Sequence, residues 1–498
     1  MGTVKSGFRT GDVGALFAAV EAGDEDAVLG LLRRGVPARS VDARGQTALY
    51  AAAVRDEPGV VRLLLAAGAD PDELSGAGDL PLCGAACGGH VGVVRALLAA
   101  GAKVDGVEEF GFRALDWAVA LGFAGVAEVL LAAGADPDRA APGGAEPLVV
   151  AAAGGSFSTV RCLREYGARG GRAALAAAWA ALRGDVRAEA ERAALEQAGG
   201  AGPEVEVVVR EVVEDGGLTV VAEAFRAGLP VGAAERRTGH GAVCTLLERE
   251  AGIVTARAEL AGRALRDGVR GRGLDNWTRS VEALVERHDE ETFEAVAAWC
   301  AWEDEARRAL AADVLGGWGE ARAVPPLRAL ARRSREPEPL VAVAAALSRF
   351  GDPAAVPELV AHAAHPSARV RAAVAGALAG HAGGAGALAA LLRDAVAEVR
   401  ERAAAALREP VEPAARAAGV REGLVGLLDD PSPTVRAHAA AALARRGDPR
   451  AVPVLAALLA DSPPHAPARA LAAGAVALVT DAGARRRLAA TAVRVRAV

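Results

Sequence analysis

LLLAAGADPD, residues 63–72, decides the fold because it returns. It comes back as LLAAGAKVD (97–105) and LLAAGADPD (130–138), with weaker forms LLRRGVPA (31–38) before and LREYGARGG (163–171) after. The glycines inside these segments, Gly35, Gly68, Gly101, Gly134 and Gly167, stand 33 residues apart. A second marker keeps that step: GALF (14–17), TALY (47–50), LPLC (80–83), RALD (113–116) and EPLV (146–149). A third is Gly23-Asp24, Gly89-His90, Gly122-Phe123 and Gly155-Ser156. A fixed period of this length marks stacked supersecondary units.

Each unit reads as helix, turn, helix and projecting loop. Leu49, Leu82, Leu115 and Leu148 anchor the first helices. Val60, Val61, Leu64 and Leu65 give the second helix an apolar face. Gly68 and its equivalents stand where a helix ends and a positive φ is wanted. One unit cannot bury its own face, so units must stack. The array resembles ankyrin repeats, with five strong units over about residues 12–170. It departs from that pattern in replacing most Thr-Pro pairs and keeping no motif histidine, which is expected to lower stability without changing the fold.

Beyond Gly167 the period weakens. Residues 172–201 read as helix, Gly-Asp turn, helix and a closing Gly200. GLTVVAEAFRAGLPV (217–231) resembles another second helix closed by Gly228, and RTGHGAVCTLLEREAGI (237–253) a next loop and first helix. Residues 1–268 are therefore expected to be one ankyrin-repeat domain, degenerate over 171–268, followed by a junction at 269–276.

From residue 277 to 498 the signature is different. It reads GEARAVPPL (319–327), GDPAAVPEL (351–359) and GDPRAVPVL (447–455), with GGAGALAAL (383–391) between and a lengthened unit near Ala415. Helices of Val-Arg type alternate with them: ARVRAAVAGALAG (368–380), AEVRERAAAALRE (397–409) and PTVRAHAAAALARRG (433–447). Glycine stops the first helix, and Pro325, Pro357 and Pro453 fall in the first turn of the second. About six units of this kind resemble HEAT repeats, specifically the short form in phycobilisome-lyase-like proteins. The expected fold is all-α: an ankyrin-repeat solenoid followed by a HEAT-like solenoid.

Composition fits close helix packing: 52% of the 498 residues are hydrophobic, but only 3% are aromatic, and nearly half of the apolar residues are alanine. Net charge is −6. Residues 1–270 carry 28 basic and 36 acidic side chains, and the remainder 29 and 27, so neither half is a basic nucleic-acid footprint. Lys5 and Lys103 are the only lysines; with the alanine and glycine excess this suggests a GC-rich, bacterial genome. Five scattered cysteines suggest a reducing cytoplasm, and no signal peptide or membrane segment is expected. The N-terminus matches the Met-Gly-x-x-x-Ser acylation pattern, which a bacterial protein is not expected to use.

Several clusters are candidates for chemistry. Cys83, Cys87 and His90 share a helix face at i, i+4, i+7, but a fourth metal ligand is missing and no metal or cofactor is expected. Trp277, Trp299 and Trp302 open the second array beside Asp275, Glu303 and Asp304. That combination resembles HEAT-like alkylpurine DNA glycosylases, although the half lacks their basic surface. Arg371, Arg400 and Arg436 recur in the repeat itself, as unit-to-unit bonds or as a phosphate ladder. No phosphate loop, nucleophile elbow or zincin motif is present. Bilin-lyase activity is implied by the HEAT resemblance alone.

What remains is surface. Ankyrin resemblance implies protein binding through loop tips and the exposed side of the short helices. The register assigns Arg44, Gln46, Tyr50, Arg55, Asp79, Glu108, Glu109, Phe110, Phe112, Arg113 and Leu121 to that surface, with Trp117 in the core. The expected function is a non-enzymatic scaffold or adaptor for protein partners. The alternatives are a DNA-binding or glycosylase-like role, or a bilin-lyase-like role, for the second half.

Overall fold

The computed structural model describes residues 10–202, 204–409 and 419–494. The acylation pattern at Met1–Ser6 and the lengthened unit near Ala415 lie outside the described residues. The chain divides into two compact units. One comprises residues up to Ala256 together with Gly273–Arg279; the other comprises Arg257–Arg272 and the residues from Ser280 on.

In the first unit the 33-residue step becomes geometry. Short first helices begin at Ala48, Pro81, Ala114 and Pro147, and second helices at Pro58, Val91, Ala124 and Phe157. Gly35, Gly68, Gly101, Gly134 and Gly167 close the second helices with φ between 85° and 94°, a conformation that only glycine takes without strain. Leu49, Leu82, Leu115 and Leu148 are buried in one continuous core with Val60, Val93, Val126 and Val160. The recurring aspartates stitch the stack together. Asp72 accepts from the Lys103 N–H (2.9 Å), Asp105 from Asp136 N–H (3.1 Å) and Asp138 from Arg169 N–H (2.6 Å).

Helices Gly171–Leu182 and Val186–Gln197 follow, and Gly200 takes φ 102° as a closing glycine. The expected second helix at 217–231 is not there. The chain instead forms a three-stranded antiparallel meander: β1 (Val205–Glu214), β2 (Gly217–Arg226) and β3 (Leu229–Arg237). Two-residue turns, Asp215-Gly216 and Ala227-Gly228, join the strands, and all four residues have positive φ. Such turns match the twist of a hairpin, and valine-rich flanks favour strands over helix. Val186, Ala190 and Ala194 pack on Val220, Ala222, Ala224 and Ala234, so one helix covers one face of the sheet. Helix His240–Glu250 then rejoins the main core through Ala242, Val243, Cys244 and Leu247.

The second unit stacks longer helix pairs, among them Glu305–Trp318 with Val324–Arg333 and Pro337–Phe350 with Val356–Ala361. Gly319, Gly351 and Gly447 terminate the first helices of their pairs, with φ of 60–69°. Arginines lace the units. Arg308 donates to the carbonyls of Trp302 and Glu303, Arg371 to those of His365 and Pro366, and Arg400 to those of Asp394 and Ala395. Each also reaches a carboxylate further on: Glu336 at 2.7 Å, Asp394 at 2.6 Å and Asp430 at 2.7 Å.

Candidate protein-binding surface

The loops of the first array are narrow hairpins. Isolated bridges Val41–Thr47 and Val107–Arg113 close two of them. Asp42 holds its own tip by accepting from the N–H groups of Arg44 and Gln46, both at 2.8 Å. A glycine recurs at each tip, at residues 45, 78, 111 and 144, with φ between 78° and 83°. Neighbouring tips bond to each other: Gly76 N–H to Gly45 O at 2.7 Å, and Glu109 N–H to Gly78 O at 2.9 Å. The ladder ends at the next step, where Pro142 has no N–H to give.

On this frame Phe110 stands out, with 70% of its surface exposed. Glu109 beside it is exposed as well. Along the loop flanks Val41, Leu74 and Val107 are 51%, 51% and 42% exposed. They stand 33 residues apart and so occupy equivalent places in three successive units. Three large apolar side chains held in register at solvent, with a phenylalanine at one end, form an apolar row of the kind that marks interaction surfaces.

The other sequence candidates divide. Arg44 and Arg55 are exposed, Arg55 lying 3.6 Å from Glu21. Gln46 and Asp79 are half-buried. Half-buried Tyr50 hydrogen-bonds Asp79; burial first, and then Asp79, push its phenol up to about 12. Leu121 is part-exposed, but its carbonyl accepts from Arg237 at 2.6 Å, so its turn is tied to the sheet. Phe112 leans inward, its ring 5.3 Å from that of Trp117.

Two candidates are not surface residues. Glu108 is buried and accepts from the Trp117 indole N–H at 3.0 Å. Burial raises its carboxyl above the usual range against that bond, with Asp79 and Asp116 adding to the rise. Arg113 is fully buried. Its guanidinium pairs with Asp105 at 3.0 Å and Asp116 at 2.9 Å, and donates to the carbonyls of Asp136 and Arg139. It stands where Thr47 caps an earlier helix, and a side chain in that slot turns inward. Trp117, expected in the core, is half-buried at its rim.

In the metal candidate, Cys83 is buried, with its Sγ 3.9 Å from the Phe112 carbonyl. His90 Nε2 contacts the Val54 carbonyl at 3.2 Å. Among the described residues no three His, Cys, Asp or Glu side chains are placed to hold a metal ion.

The glycosylase-like set is not assembled in the second unit. Trp277 is buried and belongs to the first unit, as does Asp275. Trp299 is buried, Trp302 lies 4.0 Å under the Arg307 guanidinium, and the Asp304 carboxylate caps a helix through Arg307 N–H. Arg371 and Arg400 are spent on Asp394 and Asp430, which removes them from a phosphate ladder. Half-buried Arg436 bonds the carbonyls of Asp430 and Pro431 beside a groove of about 620 Å³ that also carries Asp429 and Asp461.

Against family models, the chain matches "Ankyrin repeat" at residues 44–75 and "Ankyrin repeats (3 copies)" at 60–141. It matches "HEAT repeats" at 293–379 and 385–477. Residues 44–141 are ankyrin repeats, and residues 293–477 carry HEAT repeats. Both are solenoid repeats typical of protein interaction, and no catalytic family is among the matches. No curated protein matches the chain. No helix among the described residues is long and apolar enough to cross a membrane.

The sequence reading missed the Val41–Leu74–Val107 row and the tip glycines. Both recur at the same period of 33 and were legible from it.

Proposed function

We propose that the protein is a non-enzymatic interaction scaffold whose ankyrin array binds a protein partner along its loop tips. The observation that carries this reading is the exposed apolar row of Val41, Leu74 and Val107 ending beside Phe110. Side chains held in a row by hydrogen-bonded loops lose little freedom on binding, so a partner gains their burial at low entropic cost. Aromatic anchors dominate such interfaces, which makes Phe110 the anchor at one end of the row, with Glu109 beside it and Arg44 and Asp79 as polar groups on the preceding loops. The HEAT array supplies a second surface on the same chain, and a partner held by one array is concentrated near the other.

The test uses the full chain as bait in source lysate, beside a variant with Leu74→Ser, Val107→Ser and Phe110→Ala. All three positions are exposed, so folding is expected to survive. A partner captured in stoichiometric amount by the parent, lost from the variant and bound directly after purification supports the reading. Identical captured sets from parent and variant would remove the loops from the interface.

A further inference from the structure

We propose that the sheet inserted into the first unit is a self-association edge: β1 pairs antiparallel with β1 of a second copy, about a two-fold axis through Val208. This surface is separate from the ankyrin loops.

The two edges of the sheet are treated differently. At β3 the chain carries Pro230, which has no N–H, and a break in register between Ala224 and Phe225. The outward N–H of Ala233 is taken by Gln197 of the covering helix at 3.2 Å. The same helix sits hard against Gly232, where an added Cβ would fall 2.3 Å from the Ala194 carbonyl. A further strand has no room there. At β1 the sheet ends among the described residues, since the strand order is β1-β2-β3. The strand is ten residues long, reads VEVVVREVVE, and contains no proline or glycine.

The turn fixes which backbone groups face out. A two-residue turn makes Glu214 and Gly217 a hydrogen-bonded pair. By alternation, residues 206, 208, 210 and 212 also bond to β2. Val207 and Val209 therefore aim N–H and C=O away from the sheet, along an edge with two valine side chains packed inward.

An edge of this kind accepts an extended segment, and β1 is complementary to itself. Outward residues must pair with outward residues, so an axis falls on a residue. With the axis at Val208, Val207 exchanges bonds with Val209 of the second copy, and Val208 faces itself. Glu206 then stands opposite Arg210, twice by symmetry. All three of these side chains are exposed, Val208 by 44%; Arg210 already pairs with Glu223 of β2 at 3.3 Å, so Glu206 of the second copy would share its guanidinium. Moving the axis to Val209 removes both ion pairs. Moving it to Arg210 sets that residue against itself and Glu206 against Glu214. Opposite charges directly across strands stabilise a pair and like charges oppose it, so the Val208 register is favoured over both of these.

Sedimentation velocity of the full chain over a concentration series tests this. The parent is expected to dimerise reversibly. Val209→Pro removes an N–H that β2 does not use, and is expected to abolish the dimer while leaving the circular dichroism unchanged. Arg210→Glu sets four acids along the axis and is expected to weaken dimerisation about tenfold or more. Adding Glu206→Arg to Arg210→Glu is expected to restore it, which a merely unfolded edge would not do. In a Cys87→Ser background, oxidised Val208→Cys is expected to run as a dimer and Val213→Cys as a monomer. A parent that stays monomeric at every concentration overturns the proposal and leaves the edge to an extended segment of another protein. A dimer that persists in folded Val209→Pro and Arg210→Glu overturns it equally.

Discussion

The two arrays face the same difficulty and answer it with different atoms. A single repeat cannot bury its apolar face, so neighbours must be held in register. The ankyrin array does this mainly through backbone: Asp72, Asp105 and Asp138 accept from N–H groups one unit on, and loop tips bond to loop tips. The HEAT array does it with charge, through Arg308–Glu336, Arg371–Asp394 and Arg400–Asp430. Stitching by backbone leaves loop side chains free for display, as Phe110 and Val107 show. Stitching by guanidinium consumes the very arginines that a phosphate or nucleic-acid surface would need. The repeating polar residue of a solenoid is thus read first as mortar, and the surface lies in what varies around it.

The ankyrin array also uses charge, in exposed pairs such as Arg39–Glu73 and Arg169–Asp138, but Arg113 does so from a buried position and offers the sharpest test of the contrast. It spans two units from a fully buried position, holding Asp105 and Asp116. Arg113→Ala leaves Asp116 buried without its counter-charge and is expected to cost about 3–5 kcal/mol. Hydrogen exchange in the first unit should accelerate, most around Ala114–Ala120. A cost under about 1 kcal/mol would mean that the backbone stitches carry this junction alone.

In the HEAT array Asp430→Ala strands Arg400 and uncaps Ser432 N–H, which Asp430 also accepts. The expected cost is about 2 kcal/mol, the usual worth of hydrogen bonds to a charged group. Exchange should accelerate around helices Ala397–Ala406 and Pro433–Arg445 and leave the ankyrin helices unchanged. Acceleration confined to one side of the pair would break the picture of a unit-to-unit tie.

The arrays should also part company in acid. Arg371 holds Asp394 below the usual carboxylate range, and Arg450 and Arg421 hold Asp448 well below it. Asp430 is lowered too, with burial opposing and Arg400 prevailing. Depressed folded-state values stabilise above the unfolded pKa of about 3.9, and that stability is lost as pH falls below it. In the ankyrin array Asp138 is lowered in the same way by its hydrogen bonds from Arg169, but Glu108 has the opposite sign. Its value is raised by burial, so its contribution is present below about 4.3 and lost as pH rises through the folded value. Calorimetry at pH 7 and near pH 3.5 should therefore show the HEAT transition falling further than the ankyrin one. Equal shifts would break the comparison.

How much of this was legible in the sequence follows from what repetition can carry. The helix starts, the glycine stops and the aspartate stitches all recur, so period alone places them. The sheet does not recur, and VVAEAF followed by Gly228 imitates the Val-Val and closing glycine of a second helix. The telling signals were local: a valine-rich run on each side of Asp215-Gly216, a dipeptide that favours a two-residue hairpin. At the candidate surface the period put Phe110 and Arg113 on the same loop, yet one is exposed and the other buried. Register fixes where a Cα lies; whether an arginine turns in depends on Asp105 and Asp116 being there to receive it.

The smallest expected effect tests the backbone side of the comparison. Gly23, Gly89, Gly122 and Gly155 end the first helices of their units with φ of 66–74°. The second ankyrin repeat breaks the series with Asp56, which holds φ 56° without being glycine. A Cβ in the left-handed region costs roughly 1–2 kcal/mol, and aspartate recovers part of that through its short polar side chain. Its exposed carboxylate lies 3.8 Å from His90, a contact of little worth. Asp56→Gly is therefore expected to stabilise the ankyrin array by about 0.5 kcal/mol, the released strain outweighing the added freedom of the unfolded chain. Urea unfolding of the first unit reads this directly. A loss of stability would show that the Asp56 side chain, rather than backbone conformation, decides the energy of this turn.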